Sequence, residues 1–557
     1  MPNNTYKDTS LESAPKFNTK VVIIGGGVAG LTSATLLREI GCDVLVLEAS
    51  NTLGGLAKSG YSADGFPTEH SLRVYHNNYD AFFSILKKIP FDDNSTVFDQ
   101  LVPVSFGMAF DKHSLFYDVN RKTHFVQKLY DHHKLFKFFR TRGLTFNDFW
   151  VMAKQHFMVR TSWERFVDKT HISVADFCQS QRVSQAYCKL INALHEIAYA
   201  SSDKSLALSS IEMNTEGNPL NGFYMMNGPT SERVFNPWEK YLMNKGVSIQ
   251  KNTRVSEFVH DDGIVKAVKL QSGEYIQGDI FICAAPNREA DRLTKTTTCL
   301  RDTQPLEKLH THTEWSNGIQ FFLSDLPPDK SFQPGTLFTH LDSPWKLVSI
   351  TQGDGFWKNV SFPKNCRYVL SVTFSNVNAQ GVVYQKPLLE CTREELFEEI
   401  LTQCNFTQRE LIIDWHMDDA IVWMTDDAYQ MQQTQLPVHD KHYRKDGSWI
   451  LNFSPLSTPT PGSFANEPTS KTLTPNLYLA GDFCKTSRVI NCMEKACESA
   501  YLAVDAISRD IGLPKITLPF KAYNIRKYRL IRTLDAIIFK IQQVIKLRFF
   551  KPTGVNL

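Results

Sequence analysis

The chain has 557 residues, 42% hydrophobic and 12% aromatic, enough for a large core and for two to four domains. Its formal charge of +3 is uneven: from Lys515 onwards ten Lys/Arg face Asp535 alone, so the tail carries +9 and the preceding 514 residues −6. Eleven cysteines without a C-x-x-C pair predict thiols in a reducing compartment and argue against a zinc site, so no metal is expected. The polar first 20 residues hold no secretory h-region, and no apolar run reaches the roughly 18 residues of a membrane span. The expected location is cytoplasmic, or peripheral on a membrane face.

Residues 1–18 are expected to form a disordered tail. A strand, Val21–Ile24, then runs through glycines into a helix from Ala29 to Ile40, and a second strand, Val44–Leu47, ends at Glu48. This is a βαβ opening. Residues 115–215 follow a helical pattern rich in aromatics, as in Leu135–Phe139. Strands return over 247–285, with a hairpin turn at Asp261-Asp262-Gly263. Strand-like runs alternate with Pro/Gly turns over 315–375, Glu394–Leu401 reads as a helix, and a Pro/Ser/Thr-rich loop covers 454–475. A last strand, Leu477–Ala480, leads to a helix ending near Ile507. There is no internal repeat.

Gly25-Gly26-Gly27-Val28-Ala29-Gly30 is a G-x-G-x-x-G placed between a strand and a helix. Gly25 permits the tight turn, Gly27 admits a pyrophosphate to the backbone, and Gly30 lets helix and strand pack closely. Val28 and Ala29 open the helix, whose unpaired N–H groups and positive dipole end favour phosphate. Glu48, followed by Ala49, lies 18 residues past Gly30, where a carboxylate can accept hydrogen bonds from a ribose. These residues alone leave FAD and NAD open.

Gly54-Gly55 follows Glu48 by six residues. The stretch Val21–Ser59 resembles the flavin amine oxidase and phytoene (carotenoid) desaturase superfamily, in which a Gly-Gly pair follows the ribose acid. The resemblance implies FAD, with Ala49, Gly54, Gly55 and Leu56 among its contacts. Thr52 and Leu56 stand where amine oxidases carry arginines, which counts against an amine oxidase; Lys58 can supply the missing charge. The run Leu477–Asp482 followed by Met493-Glu494 is similar to the superfamily's C-terminal flavin signature. By that resemblance Gly481 ends the strand, Asp482 holds the ribityl chain, and Met493 opens a helix facing the isoalloxazine. Lys495 stands where the family usually has glycine. Val255 matches the position whose backbone meets the adenine, although it can equally belong to a plain core strand.

Phe66–Arg73, Asn227–Glu232, Gly318–Leu323 and Asp342–Trp345 resemble segments of phytoene desaturase-like flavoproteins, including those acting on carotenoids and hydroxysqualene. The resemblance covers roughly 20–508. It implies an α/β and α+β fold: a bipartite Rossmann-type FAD-binding domain with an interleaved substrate domain and helical cap. The partition that follows gives 19–115, 216–290 and 446–508 to the FAD domain. It gives 116–215 to the cap, 291–445 to the substrate domain and 509–557 to a basic amphipathic arm.

The branch implies hydride transfer to flavin from a hydrophobic isoprenoid or lipid substrate, with quinone or oxygen as electron acceptor. Glu69 and His70 are the candidate proton acceptors, and Arg73 can orient a polar group or stabilise reduced flavin. The alternative is a structural Glu69–Arg73 pair with His70 satisfied in the core. Amine oxidases often place a lysine on a substrate-domain strand; the comparable run, Trp315–Leu323, has none and carries Gln320. The aromatic segment Phe125–Phe166 is either a lipid-accommodating cap or an ordinary helical core.

In the arm, Leu530, Leu534, Ile537, Ile538, Ile541, Val544 and Ile545 recur at helical steps, with Arg532, Lys540 and Lys546 largely between them. Such a helix can lie on an anionic membrane surface, or dock on its own domain or another subunit. The apolar stripe argues against nucleic acid as partner. The expected function is therefore an FAD-dependent oxidoreductase that desaturates a hydrophobic substrate. A flavin amine oxidase, a redox-neutral isomerase or hydratase, and a non-catalytic flavin-stabilised lipid carrier are the alternatives.

Overall fold

Four consecutive apolar, mostly β-branched residues, Val21-Val22-Ile23-Ile24, favour an extended chain buried on both faces. They form the central strand β1 (Lys20–Ile24) of a five-stranded parallel sheet. The computed structural model describes residues 17–117, 125–158, 162–201, 204–210, 223–295, 306, 313–433, 436–437, 439–520 and 529–549. Of the expected tail only Phe17 and Asn18 fall among them; the Phe17 N–H donates to the carbonyl of Gly41.

Across the parallel sheet the order is Leu477–Leu479, Ile280–Cys283, β1, β2 (Asp43–Leu47) and Ser248–Gln250. Val21 registers with Ile280 on one side and Val44 on the other. The alternation of β1 assigns its two faces. Val21 and Ile23 pack under helix α1 (Val28–Glu39) and the long helix Met493–Ile511. Val22 and Ile24 pack with Val255, Phe258 and Val268 of an antiparallel sheet, Val255–Asp261, Ile264–Leu270 and Tyr275–Gln277. The hairpin of that sheet turns at Asp262 (φ 48) and Gly263 (φ 74), the left-handed pair that an Asp-Gly turn supplies.

A second sheet of nine strands carries Ile412–Met417, Asn317–Leu323, Thr336–His340, Leu347–Gly353 and Tyr368–Phe374. It also takes Leu101–Phe110, His113–Tyr117, Tyr75–His76 and Phe223–Met226, which the partition at 115 and 216 had assigned to the cofactor domain or the cap boundary. Leu101–Phe110 lies parallel to Thr336–His340, with Ser105 opposite Thr336. The pairing spans more than 200 residues of chain, so no local pattern announces it.

Among the described residues, five helices lie between 125 and 199. Phe138, Phe139, Val151, Phe177 and Tyr187 form one core with Phe110 and Leu115, whereas Phe146 and Trp150 are exposed by 70% and 61%. The aromatic segment is thus internal core along one face and open along another.

The long C-terminal helix runs to Ile511, beyond the expected Ile507. The chain then returns to the cofactor domain: Leu513 and Phe520 are buried in its core, Phe520 edge-on to Tyr501 at 6.0 Å. Residues 509–520 therefore belong to the body, and the arm proper is the helix Arg529–Phe549. That helix docks by its polar edge. Asp535 accepts from the Ser162 N–H at 2.8 Å and from Arg165 Nε at 2.9 Å, and Gln542 accepts from the same arginine. Leu530, Leu534, Ile537, Ile538, Ile541 and Val544 stay at least half exposed. Among the described residues no helix is long and apolar enough to cross a membrane.

Truncation after Phe520 should leave unfolding temperature and flavin content close to those of the full chain. Truncation after Pro514, which strips Phe520 from the core, should destabilise by about 3–5 kcal/mol, the cost of emptying a buried phenylalanine site. Thermal unfolding of the two proteins side by side distinguishes them; equal stability would return 515–520 to the arm.

Candidate cofactor and active site

The phosphate turn is a place where backbones approach too closely for side chains. Gly25 has φ +110, and a Cβ there would lie 2.6 Å from the carbonyl oxygen of Ala284. A Cβ on Gly30 would lie 1.9 Å from the oxygen of Gly25. Gly27 differs, because its Cβ would meet nothing nearer than Gly55 Cα at 3.7 Å. Gly27 also begins α1 without a side-chain cap, so the first-turn N–H groups at Val28 and Ala29 have no capping acceptor.

Glu48 is held from both sides. Its Oε2 accepts the Gly26 N–H at 2.7 Å, and its Oε1 accepts the Ser50 N–H at 2.8 Å and hydroxyl at 2.9 Å. Ala49 is exposed between them. The Thr253 N–H donates to the Glu48 carbonyl, which brings the start of the Val255 strand beside the acid. The Val255 side chain is itself core, 4% exposed. Gly54 (φ +113) donates its N–H to Gly26 and lies against Phe235, so the Gly54-Gly55 pair wraps the phosphate turn from outside. Leu56 is half exposed on that wrap.

The C-terminal segment closes on the same turn. Leu477–Leu479 pairs with Ile280–Cys283, and the Gly481 N–H donates to Ser499 of the long helix at 2.9 Å. Asp482 is half-buried, and burial raises its carboxyl while the Lys495 ammonium opposes the shift. Met493 opens the helix after Cys492, again without a side-chain cap. Lys495 is fully buried; its Nζ donates to Glu467 at 2.6 Å and to Asn491 at 3.1 Å. Burial pushes Glu467 up to about 7 despite that ammonium. Glu494 turns inward to accept the N–H groups of Ala81 and Phe82 at 2.7 and 2.8 Å. Lys495 thus occupies the expected glycine position with its charge compensated inside the protein.

The candidates Glu69, His70 and Arg73 lie where the cofactor segment meets the nine-stranded sheet. Glu69 is buried: one oxygen accepts the Thr230 N–H at 2.8 Å, the other lies 4.0 Å from Arg73 Nε, and burial raises the carboxyl. Its own N–H donates to Gln320, which continues through Ser371 to Gln352 across the sheet. Gln320 is therefore a buried tie between strands. Arg73 donates to the carbonyls of Ala57 at 3.1 Å and Leu56 at 2.6 Å, and so brings positive charge to the Gly-Gly wrap. His70 takes a different partner, with Nδ1 2.6 Å from Asp418 Oδ2 and its side chain 18% exposed. Asp418 carries no local motif and was not expected from the sequence.

The side-chain-free backbone at Gly27, the oriented Glu48, two uncapped helix starts and Asp482 at the strand end fit FAD: pyrophosphate at the turn, ribose on Glu48, ribityl chain on Asp482. This fold and site define a dinucleotide-binding flavoprotein.

The model of the flavin containing amine oxidoreductases matches residues 28–321. The chain belongs to that family, an FAD-dependent oxidoreductase of the amine oxidase and phytoene desaturase group. Similar curated proteins include the 15-cis-phytoene desaturase of Arabidopsis thaliana, 22% identical over 306 residues, 50% of each chain. The carotenoid phi-ring synthase of Chlorobaculum tepidum is 24% identical over 303 residues, 50% of this chain and 44% of that one. The chain spans about half the length of the curated relatives it matches. Among solved structures, a putrescine oxidase variant aligns with a TM-score of 0.58 at 12% identity, over 89% of this chain and 100% of that one. An oxidoreductase from Methanosarcina mazei aligns with a TM-score of 0.54 at 14% identity, over 86% and 98%. Both share the fold.

Gly27→Val should fold yet purify colourless, since a Cβ is tolerated there at van der Waals distance while the side chain takes the space that the pyrophosphate needs. Gly30→Ala should be poorly folded. Absorbance at flavin wavelengths and thermal unfolding separate the two effects, and a yellow Gly27→Val protein would refute the pyrophosphate slot. Asp482→Ala should weaken FAD binding by about tenfold to 150-fold, the loss of one charge-assisted hydrogen bond. An unchanged FAD dissociation constant would remove Asp482 from the site.

Proposed function

We propose that the protein dehydrogenates a hydrophobic isoprenoid or lipid substrate at a membrane surface and passes the electrons to a quinone or to oxygen. The observation that carries this reading is the docking of helix Arg529–Phe549. Its Asp535 edge is latched to the body while seven large apolar side chains, Ile531 among them, are at least half exposed, the arrangement a bilayer interface rewards. The arm's basic residues add about 1 kcal/mol each near an anionic surface. Support for the substrate class comes from the relatives named as 15-cis-phytoene desaturases and a carotenoid ring synthase. The commitment of Gln320 to a buried network, at the strand where amine oxidases often place a lysine, weighs against amine oxidation.

Bound FAD supplies a hydride acceptor. The chain's part is to align a substrate C–H bond, exclude water and receive a proton from the neighbouring carbon. Of the three candidates, Arg73 is committed to carbonyls of the Gly-Gly wrap, Glu69 is buried with one oxygen on the Thr230 N–H and the other facing Arg73, and His70 keeps a partly open ring. Arg73 then serves as a positioning residue for the turn at Leu56-Ala57.

Full-length protein should co-sediment with phosphatidylserine-containing vesicles, partly released by salt, since charge at the surface is screened over about 8 Å at physiological ionic strength. Protein truncated after Phe520 should stay in the supernatant; equal sedimentation would dismiss the arm as anchor. Mixed anaerobically with 15-cis-phytoene in such vesicles, the flavin should bleach and recover on adding a quinone or oxygen. Peroxide release with amines would point to amine oxidation, and turnover without an acceptor to redox-neutral chemistry.

A further inference from the structure

We propose that Asp418 positions His70 as the proton acceptor of the dehydrogenation, so that His70 and Asp418 form a dyad at the seam between the cofactor segment and the substrate sheet. The inference rests on the function proposed above and adds a residue to it. His70 follows the strand Pro67–Glu69, which pairs with Ser59–Tyr61 just beyond the Gly-Gly wrap. On its other side runs Asn317–Leu323: a Cβ on Gly318 would lie 2.9 Å from the His70 carbonyl oxygen. The His70 backbone is therefore packed between the cofactor segment and the substrate sheet, and its imidazole reaches Asp418, the residue that follows the strand Ile412–Met417.

The carboxylate opposite it is oriented by a network. Asp418 Oδ2 takes His70 Nδ1 at 2.6 Å and accepts from Asn317 Nδ2 at 2.6 Å, while Oδ1 accepts the Ala420 N–H at 3.0 Å. Asn317 is fixed in turn by Asn452, whose Nδ2 donates to its Oδ1 at 3.1 Å, and Asn452 accepts the Ser454 N–H. Asp418, Asn317 and Asn452 are all buried. Both carboxylate oxygens act as acceptors from neutral donors, so the ring must offer Nδ1–H to Asp418. That leaves the lone pair on Nε2, which carries no hydrogen bond among the described residues. A histidine so tethered is a base with a fixed tautomer. The other charged group beside it is Glu69, itself tied to Thr230 and Arg73.

With FAD bound, the cofactor would supply the acceptor for the substrate's hydride and its electron pair. The adjacent C–H bond breaks, its proton passing to His70 Nε2 and its electron pair closing the new C=C bond. The imidazolium then returns the proton to water.

The test uses holoprotein labelled with ¹⁵N-histidine, the His70 signals being assigned by their loss in His70→Gln. The native ring should be the Nδ1–H tautomer, and its signals should move when dithionite reduces the flavin. A native Nε2–H tautomer, or signals unmoved by flavin reduction, would overturn the dyad without any variant or substrate. Asp418→Asn cannot accept at both positions, so it should mix the tautomers while retaining FAD; an unchanged tautomer would overturn the positioning role. With 15-cis-phytoene vesicles, the limiting rate of flavin reduction should fall about 10²–10⁴-fold in His70→Gln at unchanged flavin content, the usual worth of a general base. An unchanged rate would also overturn it. If phytoene leaves the native flavin oxidised while the ring behaves as stated, the substrate class fails and the dyad stands.

Discussion

Everything in the cofactor half depends on three stretches of backbone meeting with no side chain between them. Gly25 to Gly30, the Gly54-Gly55 wrap and the end of the strand at Ala284 converge within van der Waals distance, though more than 250 residues separate the first from the last. Two of these contacts forbid a Cβ outright, because the atom would fall inside a neighbouring carbonyl. Of these glycines only Gly27 leaves ordinary van der Waals room for a Cβ, and there the missing side chain makes room for a ligand. Packing and binding thus explain different glycines of a single motif. The parallel sheet supplies the rigidity, since β1 is buried on both faces and paired on both edges.

The same half buries several charges. Lys495, Glu494 and Glu498 are fully buried, Glu467 and Arg488 are partly buried, and each is answered by a neighbour. Such pairs add little net stability over apolar packing, but removing one partner leaves the other stranded. Their effect is to fix how the long C-terminal helix meets the first segment. Glu494 reaches the start of Asp80–Leu86, and Arg488 reaches the carbonyl of Asn78 at 2.6 Å.

What was legible in the sequence was local. The βαβ opening, the Asp262-Gly263 hairpin and the final strand–helix pair show themselves because apolar runs of fixed length end at glycine or acid. The nine-stranded sheet does not, because Leu101–Phe110 finds its parallel neighbour at Thr336–His340. Tertiary pairing alone makes that contact. Asp418 was invisible for the same reason: an aspartate between two strands is ordinary until a loop 348 residues away lays an imidazole on it. Gln320 was noticed as a lysine's replacement, yet its role as a tie across the sheet needed the partners Glu69 and Ser371. For the arm, periodicity shows a stripe but not which side of the helix touches the body. A lone acid, Asp535, decides that.

The outward stripe has a colloidal consequence. Whatever covers it when the protein is at work, in plain buffer each molecule offers every other the same row of leucine, isoleucine and valine side chains. Self-association through such a row would be second order in protein and would therefore rise with concentration. A detergent below its denaturing range, or the removal of a few tens of residues, alters shelf life while leaving the core untouched.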